Sequence, residues 1–360
     1  MVVSSGLDLR WGDDARRVFR ANFAGGAFVF QLYGGRRRSP LLQLKQSSPR
    51  ADMMRKRRLP RPEEDRAAWT RGETTVAYMN LNGARLHWRE SGEGAPVIAL
   101  HGSASTGAQW RSLTGCLEGR WRVITPDLPG YGLSEAAPGR GLGLAADAAQ
   151  IAALAARLGQ PVHLVGHSYG GAVALKLARV APRLVRSLTL IEPAAFHLLR
   201  DTGPADRALM GEVEAVAQRI AAHADIGRAD AAIRSFVDFW NGEGAWTRTS
   251  PRLQAALVGG LDAVLANFAA IAWERDRLAD IPGIGLPVLA VMGLDSRPVT
   301  MRLTEILAET LPRAELRMIP GAGHMAPLTD PHLVDPMIAA HLARVEAREP
   351  AGVAVPARAA

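Results

Sequence analysis

Ser168 stands at the centre of Gly166-His-Ser-Tyr-Gly170, and far downstream His324 stands in Gly321-Ala-Gly-His-Met-Ala-Pro327. A serine hydroxyl is a poor nucleophile at neutral pH. An imidazole that takes its proton during attack, and returns it to the leaving group, makes acyl transfer feasible. A carboxylate behind the imidazole would fix its tautomer and stabilise the imidazolium. Asp295, after Gly293-Leu294, is the favoured candidate for that acid. Glu192, closing Ser187-Leu-Thr-Leu-Ile-Glu192, is its rival, and otherwise reads as a wall of the substrate pocket. Negative charge on a substrate carbonyl oxygen would be received by the backbone N–H groups of Tyr169, next to the nucleophile, and Ser103, in His101-Gly-Ser103. Losing one such donor typically costs ~10²–10³ in rate.

These residues need elements to carry them. Val162–Val165 reads as a short buried strand running into a tight turn at Ser168 and then a helix from Gly171. This is the strand–turn–helix context in which G-x-S-x-G acts as a nucleophile elbow. Gly166 and Gly170 flank the turn where strand and helix approach closely. Further strands are expected at Thr75–Met79 and Ala84–Arg89 around an Asn82-Gly83 hairpin turn, and at Pro96–Leu100, Trp121–Asp127, Ser187–Glu192, Pro287–Met292 and Glu315–Ile319. Between most of them lie amphipathic helices, among them Leu144–Leu158 and Pro331–Arg344. Strands alternating with helices predict an α/β fold, a mostly parallel doubly wound sheet. Sites in such sheets form beyond the carboxyl ends of the strands, where Ser103, Ser168, Asp295 and His324 all fall.

Residues 194–280 break the alternation. Ala205–His223, Gly227–Trp240 and Arg252–Asp276 read as helices with no convincing strand, so an inserted all-helical cap is expected over the site. Phe196, Phe236 and Trp240 are its candidate pocket walls, and His101 and His167 flank the site from the core side. The expected organisation is a core of 73–193 and 281–346, the cap of 194–280, and a disordered tail of 347–360. His87, His163, His197, His223, His332 and His341 read as structural or solvated, and Asp127 as a turn residue.

Charge is uneven. Residues 1–72 hold 16 of the 43 Lys and Arg but 7 of the 35 Asp and Glu, so the formal charge of +8 arises in this stretch and the remainder is near neutral. That distribution leaves no basic stripe for nucleic acid. The stretch reads as a basic disordered leader or a start assigned too far upstream. A degenerate twin-arginine signal around Arg16-Arg17, with a weakly apolar run over Ala21–Tyr33, and a basic arm for an anionic surface are the alternatives. One cysteine, Cys116, excludes an intrachain disulfide, and no apolar run reaches the length of a membrane span. A cytoplasmic location is expected. No metal or cofactor motif is present, so no cofactor is expected. The sequence does not indicate the oligomeric state.

The motifs HGSAS at 101–105, DLPGYGLS at 127–134, GHSYGG at 166–171, the turn at Asp295 and GAGHMAP at 321–327, in this order, resemble the α/β-hydrolase superfamily over about Thr74 to Arg344. Serine rather than aspartate at the elbow places the resemblance in the branch of esterases and lipases, C–C hydrolases, perhydrolases and acyltransferases. It implies a serine hydrolase of small or medium carboxylic esters working through an acyl-enzyme, with a small-molecule ester-like substrate. A C–C hydrolase or a haloperoxidase-like perhydrolase with the same triad, or a catalytically weak hydrolase-like binding protein, is the alternative.

Overall fold

The computed structural model describes the backbone of Leu7–Leu9, Val18–Ala24 and Ala27–Tyr33, and the full residues of Thr75–Leu81, 84–136 and 143–348. The chain divides into two units, Met1–Ala68 and Trp69–Ala360. In the first, β1 (Leu7–Leu9), β2 (Val18–Ala24) and β3 (Ala27–Tyr33) form an antiparallel sheet in that order. These segments of the expected leader are therefore strands. Val18–Tyr33 is rich in aromatic and β-branched residues around Gly25-Gly26, a hairpin composition that the flanking arginines obscure. The arginine clusters at 36–38 and 55–58, the Asn82-Gly83 turn and the tail beyond 348 lie outside the described residues.

The second unit is built on an eight-stranded sheet. Its strands are β4 (Thr75–Leu81), β5 (Ala84–Ser91), β6 (Ala95–Leu100), β7 (Trp121–Pro126), β8 (Val162–His167), β9 (Val185–Ile191), β10 (Val288–Gly293) and β11 (Ala314–Ile319). The order across the sheet is β11-β10-β9-β8-β6-β7-β5-β4. β6 to β11 are parallel; β4 and β5 pair antiparallel at one edge, with Leu81 opposite Ala84 as a two-residue hairpin loop requires.

Side chains alternate between two cores. Ile98, Leu100, Leu164, Leu188 and Leu190 face α2 (Leu144–Arg157), α3 (Tyr169–Val180) and α9 (Pro298–Thr310). Val97, Ala99, Val165, Ile191, Leu289 and Val291 face α1 (Arg111–Leu117) and α10 (Pro331–Arg348). Burial on both faces explains why these strands read as continuous apolar runs. The helix α9 is missing from the sequence reading: its buried face mixes Val299, Leu303 and Leu307 with Thr300 and Thr304, which blurs the apolar stripe.

Between β9 and β10 every element is helical: α4 (Pro204–Asp225), α5 (Ala229–Asn241), α6 (Ala245–Arg248), α7 (Pro251–Gly259) and α8 (Leu261–Trp273), with 3-10 turns at Phe196–Asp201 and Leu278–Gly283. The single helix expected over Arg252–Asp276 is two, bent by 53°. Val216, Ile220, Ile233, Val237 and Val264 give this insert its own small core. No single helix among the described residues is long and apolar enough to cross a membrane.

Two glycines make opposite predictions. A Cβ on Gly170 would lie 2.5 Å from the His101 carbonyl oxygen, whereas one on the exposed Gly115 in α1 meets nothing within 4 Å. Gly170→Ala should cost more than about 3 kcal/mol, or prevent folding, because backbone must move. Gly115→Ala should stabilise by up to about 1 kcal/mol through helix propensity. Chemical denaturation of both variants checks the pair.

Buried imidazoles contribute to the loss of stability in acid. Loss of water pushes the pKa of His101 and His197 down to about 4 and that of His167 to about 3, against an ordinary value of 6.5. Each is neutral when folded but takes up a proton when unfolded below pH 6.5. The stability each contributes is present above that value and falls with pH, by about 1.4 kcal/mol per pH unit, until the folded pKa is reached. Urea unfolding between pH 7 and pH 4.5 should show this slope, and His197→Gln should reduce it by one proton.

Candidate active site

The turn from β8 into α3 holds Ser168 at φ 52° and ψ −120°. For a residue with a Cβ this backbone costs of order 1–3 kcal/mol. Three hydrogen bonds hold it. The Ser168 N–H donates to Ile191 O at 3.0 Å, and the Ser168 carbonyl accepts from Ala172 N at 3.1 Å and Ala194 N at 2.9 Å. A Cβ on Gly166 would lie 2.5 Å from the Gly170 carbonyl oxygen, so the two glycines are what allow strand and helix to approach.

His324, in the loop after β11, reaches back over this turn. Its Nε2 lies 3.1 Å from Ser168 Oγ, and its Nδ1 lies 2.7 Å from Glu192 Oε2. A carboxylate only accepts, so Nδ1 carries the proton and Nε2 is the lone-pair acceptor facing the hydroxyl. Both ring and carboxylate are buried. The arrangement can pass a proton from serine to imidazole and hold the resulting cation against a fixed negative charge.

The carboxylate behind the imidazole is therefore that of Glu192, not Asp295. β9 lies next to β8, whereas β10 is one strand further away, and the longer glutamate side chain spans from the β9 end to the ring. Asp295 is exposed, and its N–H anchors the histidine loop by donating to Ala322 O at 2.9 Å. Its loop serves the glutamate in another way. Gly293 N donates to Glu192 Oε1 at 2.8 Å, and Ser296 Oγ donates to the same oxygen at 2.5 Å. Burial alone would raise the Glu192 pKa, but the hydrogen bond and charge of His324, with Ser296 and Gly293, hold it below the ordinary carboxylate range.

His101 and His167 brace the site without facing it. His101 accepts from Leu128 N at Nε2 (2.8 Å) and donates from Nδ1 to Gly102 O (2.7 Å), which fixes a neutral ring under the loop carrying Ser103. His167 donates from Nε2 to the His324 carbonyl (2.8 Å), and its Nδ1 accepts from Gln109 Nε2 (3.1 Å). A Cβ on Gly102 would lie 3.2 Å from Ser168 Cβ, so the Ser103 loop runs directly beside the nucleophile. Tyr169 is the first residue of α3, and its N–H has no acceptor within the helix. These are the two residues whose amides the sequence reading offers to a developing oxyanion. Asp127 accepts from Gly107 N, Leu133 N, His87 and Arg89, and ties neighbouring loops together as a structural residue.

Of the expected pocket walls, Trp240 stands over the chemistry. Its ring centroid is 5.0 Å from that of His324, tilted 30°, and Phe196 stacks on it at 5.7 Å. Phe236 instead packs edge-on against Phe268 in the cap's own core. The sequence reading missed Gln109, Ser296 and Asn267. The last is the only polar side chain on the buried face of α8, a signal visible in the sequence as an asparagine inside Leu261-Asp-Ala-Val-Leu-Ala-Asn-Phe-Ala-Ala.

Comparison with known proteins agrees with this fold. The magnesium-chelatase 30 kDa subunit of Rhodobacter capsulatus is 31% identical over 250 residues, 65% of this chain and 81% of that protein. The pimeloyl-[acyl-carrier protein] methyl ester esterase of Aeromonas hydrophila is 30% identical over 251 residues, 67% of this chain and 92% of that protein. Among solved structures, a carboxylesterase from Bacillus subtilis superposes with a TM-score of 0.60 at 20% identity, covering 78% of this chain and 95% of that one. Residues 95–331 match the family described as the alpha/beta hydrolase fold, and the chain belongs to that family of hydrolases.

Proposed function

We propose that the protein is a serine hydrolase of small or medium carboxylic esters, working through an acyl-enzyme on a Ser168–His324–Glu192 triad. The observation that carries this reading is the imidazole bridging Ser168 Oγ at 3.1 Å and Glu192 Oε2 at 2.7 Å. Ser168 Oγ attacks the ester carbonyl as its proton passes to His324 Nε2. The Tyr169 and Ser103 amides receive the oxyanion. The tetrahedral adduct collapses, the carbon–oxygen bond to the alcohol breaks, and the proton on Nε2 leaves with the alcohol. Water, deprotonated by the same nitrogen, then releases the acid and restores Ser168.

An ester substrate is supported by the similarity to the methyl ester esterase, and an apolar acyl or alcohol part by Trp240 and Phe196 above the ring. A closed apolar roof keeps water from the acylation step. The proposal includes a cytoplasmic site of action: Cys116 is a free, exposed thiol, which a reducing compartment preserves.

Wild-type protein should be labelled by a fluorophosphonate probe and should hydrolyse nitrophenyl esters, and Ser168→Ala should lose both activities. Glu192→Gln should lower kcat by at least about 10²-fold, and Asp295→Asn should leave it within about threefold. The reverse ranking would return the acid to Asp295. Faster cleavage of a vinylogous diketone than of every ester, with no dependence on acyl length, would replace ester hydrolysis by carbon–carbon hydrolysis.

A further inference from the structure

The buried Asn267 reaches the loop of Ser103, one of the two residues whose amides are proposed above to receive the oxyanion. Its Oδ1 accepts from Ser103 Oγ at 2.7 Å and from Tyr131 OH at 2.6 Å. Asn267 belongs to the cap, whereas Ser103 and Tyr131 belong to the core. The other buried residues of its helix include Leu261, Val264 and Ile271, so a leucine at this position would serve packing alone. A buried amide is costly unless paired, and here its oxygen has two partners on different core loops.

The Ser103 loop needs such a hold. Ala104, the next residue, lies at φ 58°, in the left-handed region, and packs against the cap core. Ser103 Oγ has a partner only while α8 is seated. We propose that Asn267 is a positioning residue that makes the oxyanion cradle dependent on cap closure: the cap, once closed over a substrate, fixes the Ser103 loop and its amide in place. The inference rests on the serine-hydrolase reading above, but not on the ester being the substrate.

The test is the rate constant for phosphonylation of Ser168 by a fluorophosphonate, whose phosphoryl oxygen must enter the same cradle, together with hydrogen exchange of the amides at 102–105. In Asn267→Leu the rate constant should fall tenfold to a hundredfold, the scale of a misplaced catalytic group, and exchange at 102–105 should rise while β8 and β10 stay protected. Ser103→Ala should give part of the loss, and the double variant should be no worse than Asn267→Leu. An unchanged rate constant, or exchange that rises throughout the sheet, overturns the inference. Should Asn267→Leu fail to fold, Ser103→Ala decides alone: phosphonylation severalfold slower, with faster exchange at 102–105, supports the coupling, and wild-type behaviour overturns it. Wild-type protein that is phosphonylated but cleaves no ester would sink the ester assignment and leave this comparison readable.

Discussion

A side chain with a Cβ cannot sit at φ 52° unless something opposes its return to ordinary backbone, and at Ser168 the opposition is local and mutual. The strand before the turn and the helix after it approach so closely that only glycine fits at 166 and 170. The turn is tied to the end of the neighbouring strand by Ser168 N to Ile191 O and by Ala194 N to Ser168 O. Glu192, in between, is itself at φ 42° and donates its N–H to Val291 O. The two strained residues therefore carry the two side chains that flank the His324 imidazole. Neither corner can relax without dragging the other, which is how a fold stores the cost of pre-organisation.

The position of the carboxylate follows from that bracing. Both Asp295 and Glu192 end strands on the same edge of the sheet, so chain order and spacing allow either. What separates them is lateral order: β9 is adjacent to β8, and its strained last corner turns Glu192 toward the histidine loop. The Asp295 turn is one strand further away and contributes donors, Gly293 N and Ser296 Oγ, to the other oxygen of the same carboxylate. A buried anion needs that second set of hydrogen bonds as much as it needs its cation.

The legible and illegible parts of the sequence divide along the same line. The central strands of the large sheet were readable because burial on both faces writes an uninterrupted apolar run, and β4 and β5 from their alternation around Asn82-Gly83. The elbow was readable because close backbone approach demands glycine at fixed offsets. The histidine loop was readable from its glycines and its place after the last strand. Side-chain choices between elements far apart in sequence were not: which acid meets His324, that Phe236 faces the cap core, that Asn267 faces Ser103. The first depends on the lateral order of the strands and the other two on the seating of the cap, neither of which periodicity encodes. The helix α9 was lost for a simpler reason, since threonines that bond back to the preceding turn at Thr300 and Thr304 can be buried while reading as polar.

Helix α3 joins these constraints. Its N-terminus begins at Tyr169, beside the nucleophile. Its C-terminal half holds the root of the cap: Lys176 Nζ donates to Glu274 Oε1 and to Asp276 Oδ1, each at 2.9 Å, and Arg179 Nε donates to Asp276 Oδ2 at 2.7 Å. Lys176 and its partners have little contact with water, so separating them would strand a buried charge, at a cost of about 3–5 kcal/mol. The root is accordingly rigid, and movement that admits substrate falls to the helices that precede it. Those helices meet the site from two sides, with Trp240 of α5 on the imidazole and Asn267 of α8 on the oxyanion loop. Opening wets the hydroxyls of Ser103 and Tyr131 at little cost, whereas closing is favourable only in the one register that pairs them again, because a missed partner in a dry interior costs about 1–3 kcal/mol. Polar contacts in the cap thus select the closed geometry that apolar packing alone would leave loosely defined.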